Sequence, residues 1–196
     1  MAEIIAIIIS CLALIVSAIT AWLTLLQKGT VRMTQPTIIY FGPDGGVGGP
    51  PKIFLRTLLY CTAKRGRIIE SMYAKIRRGE SAQNFNIWVY GDNSLARGSG
   101  LFVGENGMTC NHHFLLPKDG TQFEFFSGDY IVEVYATLVG QSESLLMSKI
   151  KLHLSDLHSV SMKQKKVGVY FDWGPDSGKY QSHVAEIGEG FSAPTI

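Results

Sequence analysis

The chain has 196 residues, 46% of them hydrophobic and 17% charged, with a formal net charge of +2. That length accommodates one ordinary domain and an extension. A charge this close to neutral leaves no broad basic footprint, so nucleic acid is excluded as the expected partner.

The first element in chain order is IIAIIISCLALIVSAITAWLTLL, Ile4 to Leu26, a run of 23 residues without one charge. As a helix it would be about 34 Å long, enough for a hydrocarbon core of about 30 Å. A cleaved signal peptide fits less well. Glu3 precedes the run, no Lys or Arg does, and no small-x-small cleavage site follows it. A buried core helix would not need this length. Residues 4–26 are therefore expected to form one retained transmembrane helix. Lys28 and Arg32 follow the run with no basic partner before it. The positive-inside rule then gives a single-pass protein of the plasma (inner) membrane, with residues 27–196 in the cytoplasm. Outside the span the cysteines are Cys61 and Cys110, too few for a disulfide scaffold.

Within the span, Ala6, Ser10, Ala13, Ser17, Thr20 and Thr24 recur at alternating steps of 4 and 3. All six share one helical face. Small residues let backbones approach, and hydroxyls can bond across the contact. The stripe is expected to be a packing face for a homo-oligomer.

Residues 27–35 read as a juxtamembrane linker. Beyond it, runs rich in Val, Ile, Tyr, Phe and Trp alternate with Gly, Pro, Asn and Asp clusters, the texture of an all-β domain. Strands are expected over 36–42, 52–62, 67–77, 84–90, 98–103, 108–116, 122–126, 129–139 and 145–154. Several alternate between an apolar and a polar face, which argues two packed antiparallel sheets; a partly closed barrel is the alternative. The domain is expected to span 36–154. A polar, partly disordered extension would follow over 155–196, with VGVYFDWG (167–174) as an extra strand or docking segment.

The stretch DGTQFEFFSGDYIVEVYATL (119–138), followed by SLLMSKIKLHL, resembles the closing hairpin of an immunoglobulin-like or fibronectin-like sandwich. The resemblance covers about residues 36–154 at the level of fold. It implies an immunoglobulin-like antiparallel β-sandwich behind one N-terminal transmembrane helix. It also implies that Tyr130 ties its strand to the preceding loop. The chain departs from true immunoglobulin domains: Val132 stands where a partner for Cys61 would be, and no Trp marks the third strand.

TCNHHFLLP (109–117) invites a metal or catalytic reading. In a strand, His112 and His113 point to opposite faces and cannot chelate one ion. Cys110 and His112 share a face with Met108, Phe114 and Leu116, which reads as core. The remaining histidines carry no ligand spacing, and no nucleophile elbow, phosphate loop or paired carboxylates occur. No metal, cofactor or catalytic residue is assigned, and the chain is expected not to be an enzyme.

The binding signal lies elsewhere. Between Lys52 and Arg78 there are 8 Lys or Arg and a single acid, Glu70. In RIIESMYAKIRR, alternation places Arg67, Ile69, Ser71, Tyr73, Lys75 and Arg77 on one face. A turn at Glu80 and Ser81 would set Tyr73 opposite Trp88, Lys75 opposite Asn86 and Arg77 opposite Asn84, all outward. Tyr90 would follow Trp88. The 129–139 and 145–154 strands would add Tyr135, Lys149 and Lys151. A basic face bearing aromatics suits a protein partner, recruited at the membrane. It also suits an anionic small ligand such as a cyclic nucleotide, sensed by a membrane effector.

Overall fold

A computed structural model of the chain describes residues 1–45, 49–91, 96–117, 119–165 and 167–185. Helix α1 spans Ala2–Ala21 and runs into a single wider π turn, Trp22–Leu26. Together they form a helix of 25 residues, long and apolar enough to cross a membrane and buried nowhere against the rest of the chain. Within it the hydroxyls of Ser10, Thr20 and Thr24 bond back to the carbonyls of Ala6, Val16 and Thr20 at 2.9, 2.8 and 2.7 Å. This satisfies three of the hydroxyls of the small-residue stripe inside the helix itself.

The rest is mostly antiparallel sheet. Its strands are β1 (Val31–Met33), β2 (Ile38–Pro43), β3 (Pro51–Cys61), β4 (Arg67–Arg78), β5 (Ser81–Phe85), β6 (Ile87–Tyr90) and β7 (Ala96–Arg97). They continue as β8 (Leu101–Val103), β9 (Met108–Leu115), β10 (Gly128–Leu138) and β11 (Ser144–Leu154), then helix α2 (Asp156–Lys165), β12 (Gly168–Gly174) and β13 (Lys179–Ala185). The first sheet runs β13-β12-β2-β3-β9-β6-β7, with β1 also on β3. The second runs β11-β10-β4-β5, with β8 also on β4.

Both sheets bury their apolar faces in one core. Ile53, Leu55, Phe114 and Val169 come from the first sheet, and Ile69, Met72, Val132, Val134 and Ile150 from the second. An aromatic cluster joins them: Phe41 packs on Phe125, Tyr130 and Phe171 at 4.7, 5.7 and 5.1 Å between ring centres. Phe125 lies in 122–126, which was expected as a strand. That segment is unpaired among the described residues, yet it carries Phe123 and Phe125 into the core. The Tyr130 hydroxyl donates to the Phe126 carbonyl at 2.5 Å, the tie to the preceding loop that the resemblance implied.

Three expectations need correction. The β4–β5 turn sits one residue earlier than read: Arg78 faces Ser81 and Lys75 faces Asn84, with Gly79 supplying a positive φ of 57°. The expected 84–90 strand is also two strands. The chain leaves the second sheet after Phe85 and enters the first at Ile87, so Trp88 pairs with Phe114 rather than facing Tyr73. Finally, Leu154 does not end the fold. The α2 residue Ser159 donates to the Phe125 carbonyl at 3.2 Å, and β12 is hydrogen-bonded to β2. Segment 168–185 is therefore a hairpin of the first sheet, and β1 begins inside the expected 27–35 linker. The expected disorder of the last residues, 186–196, lies outside the described residues.

Candidate binding face

The solvent side of the second sheet carries the candidate site. Strand pairing sets Tyr73 of β4 opposite Tyr135 of β10, and their rings stack at 4.9 Å and 8°. Lys75 stands opposite Glu133, which stands opposite Lys149 of β11 on its other side. Arg77 donates to Glu133 Oε1 at 2.6 Å, and Lys149 Nζ lies 3.3 Å from the same oxygen. The Tyr135 hydroxyl donates to Oε2 at 3.2 Å. Lys151 continues the row along β11.

Glu133 is thus a carboxylate ringed by cations, with only 6% of its side chain exposed. Burial pushes its carboxyl up, but the Lys149 contact, the Arg77 charge and the Tyr135 hydroxyl outweigh this and hold it below its ordinary value. It organises the face while cancelling part of its charge. Lys75 and Lys151 form no ion pair among the described residues, so the row keeps a net positive character.

The structure therefore brings together Tyr73, Lys75, Arg77, Lys149 and Lys151, with Asn86 at the margin sharing a surface cavity with Lys75. It separates Arg67, Trp88 and Tyr90 from them. Arg67 is displaced by a bulge in β4: Thr137 faces Ser71 but Leu138 faces Ile69, so Glu70 is skipped. One extra residue reverses alternation. Ile69 is consequently buried and Ile68 is 44% exposed, and Arg67 takes the parity of Ile69, not of Tyr73. A second bulge, at Met147, turns Leu146 outward opposite Tyr135.

Trp88 is core, 3% exposed. Its Nε1 donates to Nδ1 of His112 at 3.1 Å, and its ring stacks on Tyr90 at 4.8 Å. Gly98 lies so close that a Cβ there would stand 2.0 Å from the indole. Tyr90 is half-buried and donates to the Gly100 carbonyl at 3.0 Å. His112 is the buried, hydrogen-bonded histidine that the strand reading implied, with Cys110 on the same inward side. Burial first, and the charge of His113 second, hold His112 down to about 3. Its imidazole is neutral and accepts from tryptophan.

Two features escaped the sequence. Glu133 was visible as an outward residue of β10, but its role needs the β4–β10–β11 order. Beside the face, a cleft of about 710 Å³ opens between β11 and the β12–β13 hairpin, lined among others by Lys149, Lys151, His153, Trp173, Lys179 and Tyr180. Trp173 and Tyr180 meet edge to face at 5.1 Å, and the Tyr180 hydroxyl donates to the Pro36 carbonyl at 2.7 Å. No sequence signal placed a hairpin at 168–185 next to β11.

No family model matches the sequence, and no curated protein matches it. Among solved structures, the fold is similar to a family 123 glycoside hydrolase from Clostridium perfringens, studied for glycolipid glycan hydrolysis. The identity is 6%, the TM-score 0.36, and the match covers 65% of this chain and 27% of that one. That solved chain is a hydrolase, and the expectation that this chain is not an enzyme is withdrawn. A likeness this distant assigns no reaction here.

Proposed function

We propose that the protein is a membrane-anchored binding module. In this reading α1 holds the chain in the plasma (inner) membrane, residues 27–185 stand in the cytoplasm, and the outward face of β4, β10 and β11 recruits an acidic protein partner. The observation that carries the reading is the joined face: a stacked Tyr73–Tyr135 pair beside Lys75, Arg77, Lys149 and Lys151, ordered around one buried carboxylate. Flat aromatic area inside a charged rim is the composition of protein interfaces. We read the domain as an immunoglobulin-like sandwich; the Tyr130 tie and the β10–β11 hairpin support that kinship. The Ala/Ser/Thr stripe of α1 would add self-association.

A second reading rests on the cleft between β11 and β13. Lys149, Lys151 and Lys179 beside Trp173 and Tyr180 suit a small anion with an aromatic ring, such as a cyclic nucleotide. One comparison tests both. The full chain is purified from its native membranes in mild detergent as wild type, as Lys75→Glu/Lys151→Glu, and as Arg97→Glu/Lys163→Glu, which changes charge equally away from the face. Mass spectrometry should find a protein retained by wild type and the control but lost from the Lys75/Lys151 variant. A small anion lost in the same pattern would favour the second reading. Identical retention by all three would remove the face from either.

A further inference from the structure

The tether between α1 and the domain is very short. Leu26 ends the helix, and by Gly29 the chain already lies against the β3–β4 corner: a Cβ on Gly29 would stand 2.6 Å from the Ala63 nitrogen. Thr30 N donates to Thr62 Oγ1 at 2.9 Å, and Thr62 N to the Thr30 carbonyl at 3.0 Å. Only Gln27 and Lys28 intervene. Three Cα steps span at most about 11 Å, so this corner sits at the depth of lipid headgroups whenever α1 spans a bilayer.

The surface at that corner is unusual for one facing water. Phe102 is 60% exposed, Val139 53% and Ile68 44%. They are held side by side: Ile68 faces Phe102 across the β4–β8 pair, and Val139 N donates to the Ile68 carbonyl at 3.0 Å. Lys28, Arg65 and Arg67 line the same surface. The β4 bulge is what turns Ile68 outward. Large apolar side chains beside Lys and Arg, a few ångströms from a membrane helix, match the chemistry of the headgroup–acyl boundary.

We infer that this end of the domain is a second membrane contact. Phe102, Ile68 and Val139 enter the interface, and Lys28, Arg65 and Arg67 hold anionic lipid headgroups. The inference rests on the membrane-spanning reading of α1. Each Lys or Arg near an anionic surface changes partition about fivefold, so three of them together with three apolar side chains suffice to fix the domain's tilt on a bilayer to which it is already tethered. Docking would orient the binding face. β4 would rise from the lipid at Ile68, carrying Tyr73, Lys75 and Arg77 outward over a strand at most about 33 Å long from Arg67 to Arg77.

The test uses the full chain in liposomes of phosphatidylcholine and phosphatidylglycerol that contain a doxyl-labelled quencher lipid. Bimane on the native Cys11, which is exposed on α1, reports the helix, since Cys61 and Cys110 are buried. In a Cys11→Ala background, bimane at Val139→Cys reports the corner and at Ser81→Cys the opposite end. The inference expects quenching of Cys11, at least twofold quenching at position 139 and none at 81. Phe102→Glu, Arg65→Glu/Arg67→Glu, or pure phosphatidylcholine should each return position 139 to the level of 81. If Cys11 is quenched while 139 behaves like 81, docking is overturned and the span stands. If Cys11 is not quenched, the span fails and docking with it. If 139 is quenched equally with and without phosphatidylglycerol, headgroup recognition is overturned.

Discussion

Trp88 and His112 show how one residue changes the meaning of its neighbours. A tryptophan outside would be a binding anchor; inside, it needs an acceptor for its N–H, and His112 Nδ1 is that acceptor. Trp88→Ala should therefore cost roughly 3–5 kcal/mol, as should Phe85→Ala, since both leave cavities in the core. Lys151→Ala should change stability by no more than about 0.5 kcal/mol. Thermal melts of the three variants in detergent check this ranking. His112 also fixes a pH dependence. Its value is held near 3 in the folded chain against 6.5 ordinarily, and burial, then Lys52, holds His113 near 4. Below pH 6.5 the unfolded chain takes up these protons and the folded chain does not. Stability must fall as pH drops from 6.5, by up to about 1.4 kcal/mol per unit for each histidine. Glu133, held below its ordinary value, loses its own contribution only at still lower pH. His112→Asn should flatten the slope of Tm between pH 6.5 and 4; an unchanged slope would assign it elsewhere.

Elements show where alternation is legible and where it breaks. The inward set of β10, Tyr130 to Leu138, and the Tyr73–Lys75–Arg77 row follow directly from period two. Ile68, Leu146 and Trp88 do not, and each failure has a local cause. Bulges at Glu70 and Met147 insert one residue and reverse the faces beyond them. At Asn86 the chain changes sheet, which a run of alternating residues cannot announce. VGVYFDWG was legible as an extra strand, and β12 covers Gly168–Gly174, but the hairpin was not, because its partner Lys179–Ala185 shows itself only by folding back on it. For α1, the hydroxyls of Ser10, Thr20 and Thr24 bond within the helix, so close approach more than hydrogen bonding would drive any pairing. Ala13→Leu and Ser17→Leu should each reduce dimer cross-linking in membranes several-fold, while Leu14→Ala leaves it within twofold. Equal yields from all three would remove the stripe. At the tether, Gly29→Val meets Ala63 backbone at under 3.0 Å and should open the corner, seen as faster proteolysis near Lys28.

At the scale of the molecule, the proposed function needs one helix, a two-residue tether and a two-sheet domain to hold a basic aromatic face at a fixed height above lipid. Everything in that account depends on α1 remaining in the mature chain and crossing the bilayer. Two single cysteines decide it, each placed in a Cys11→Ala background: Ala2→Cys at the start of α1, and Gln181→Cys on exposed β13. Intact cells are treated with a membrane-impermeant maleimide before or after lysis. Position 2 should label on intact cells and position 181 only after lysis, both on a chain of full mass. Labelling of 181 on intact cells, or a mature chain that lacks position 2, would contradict it.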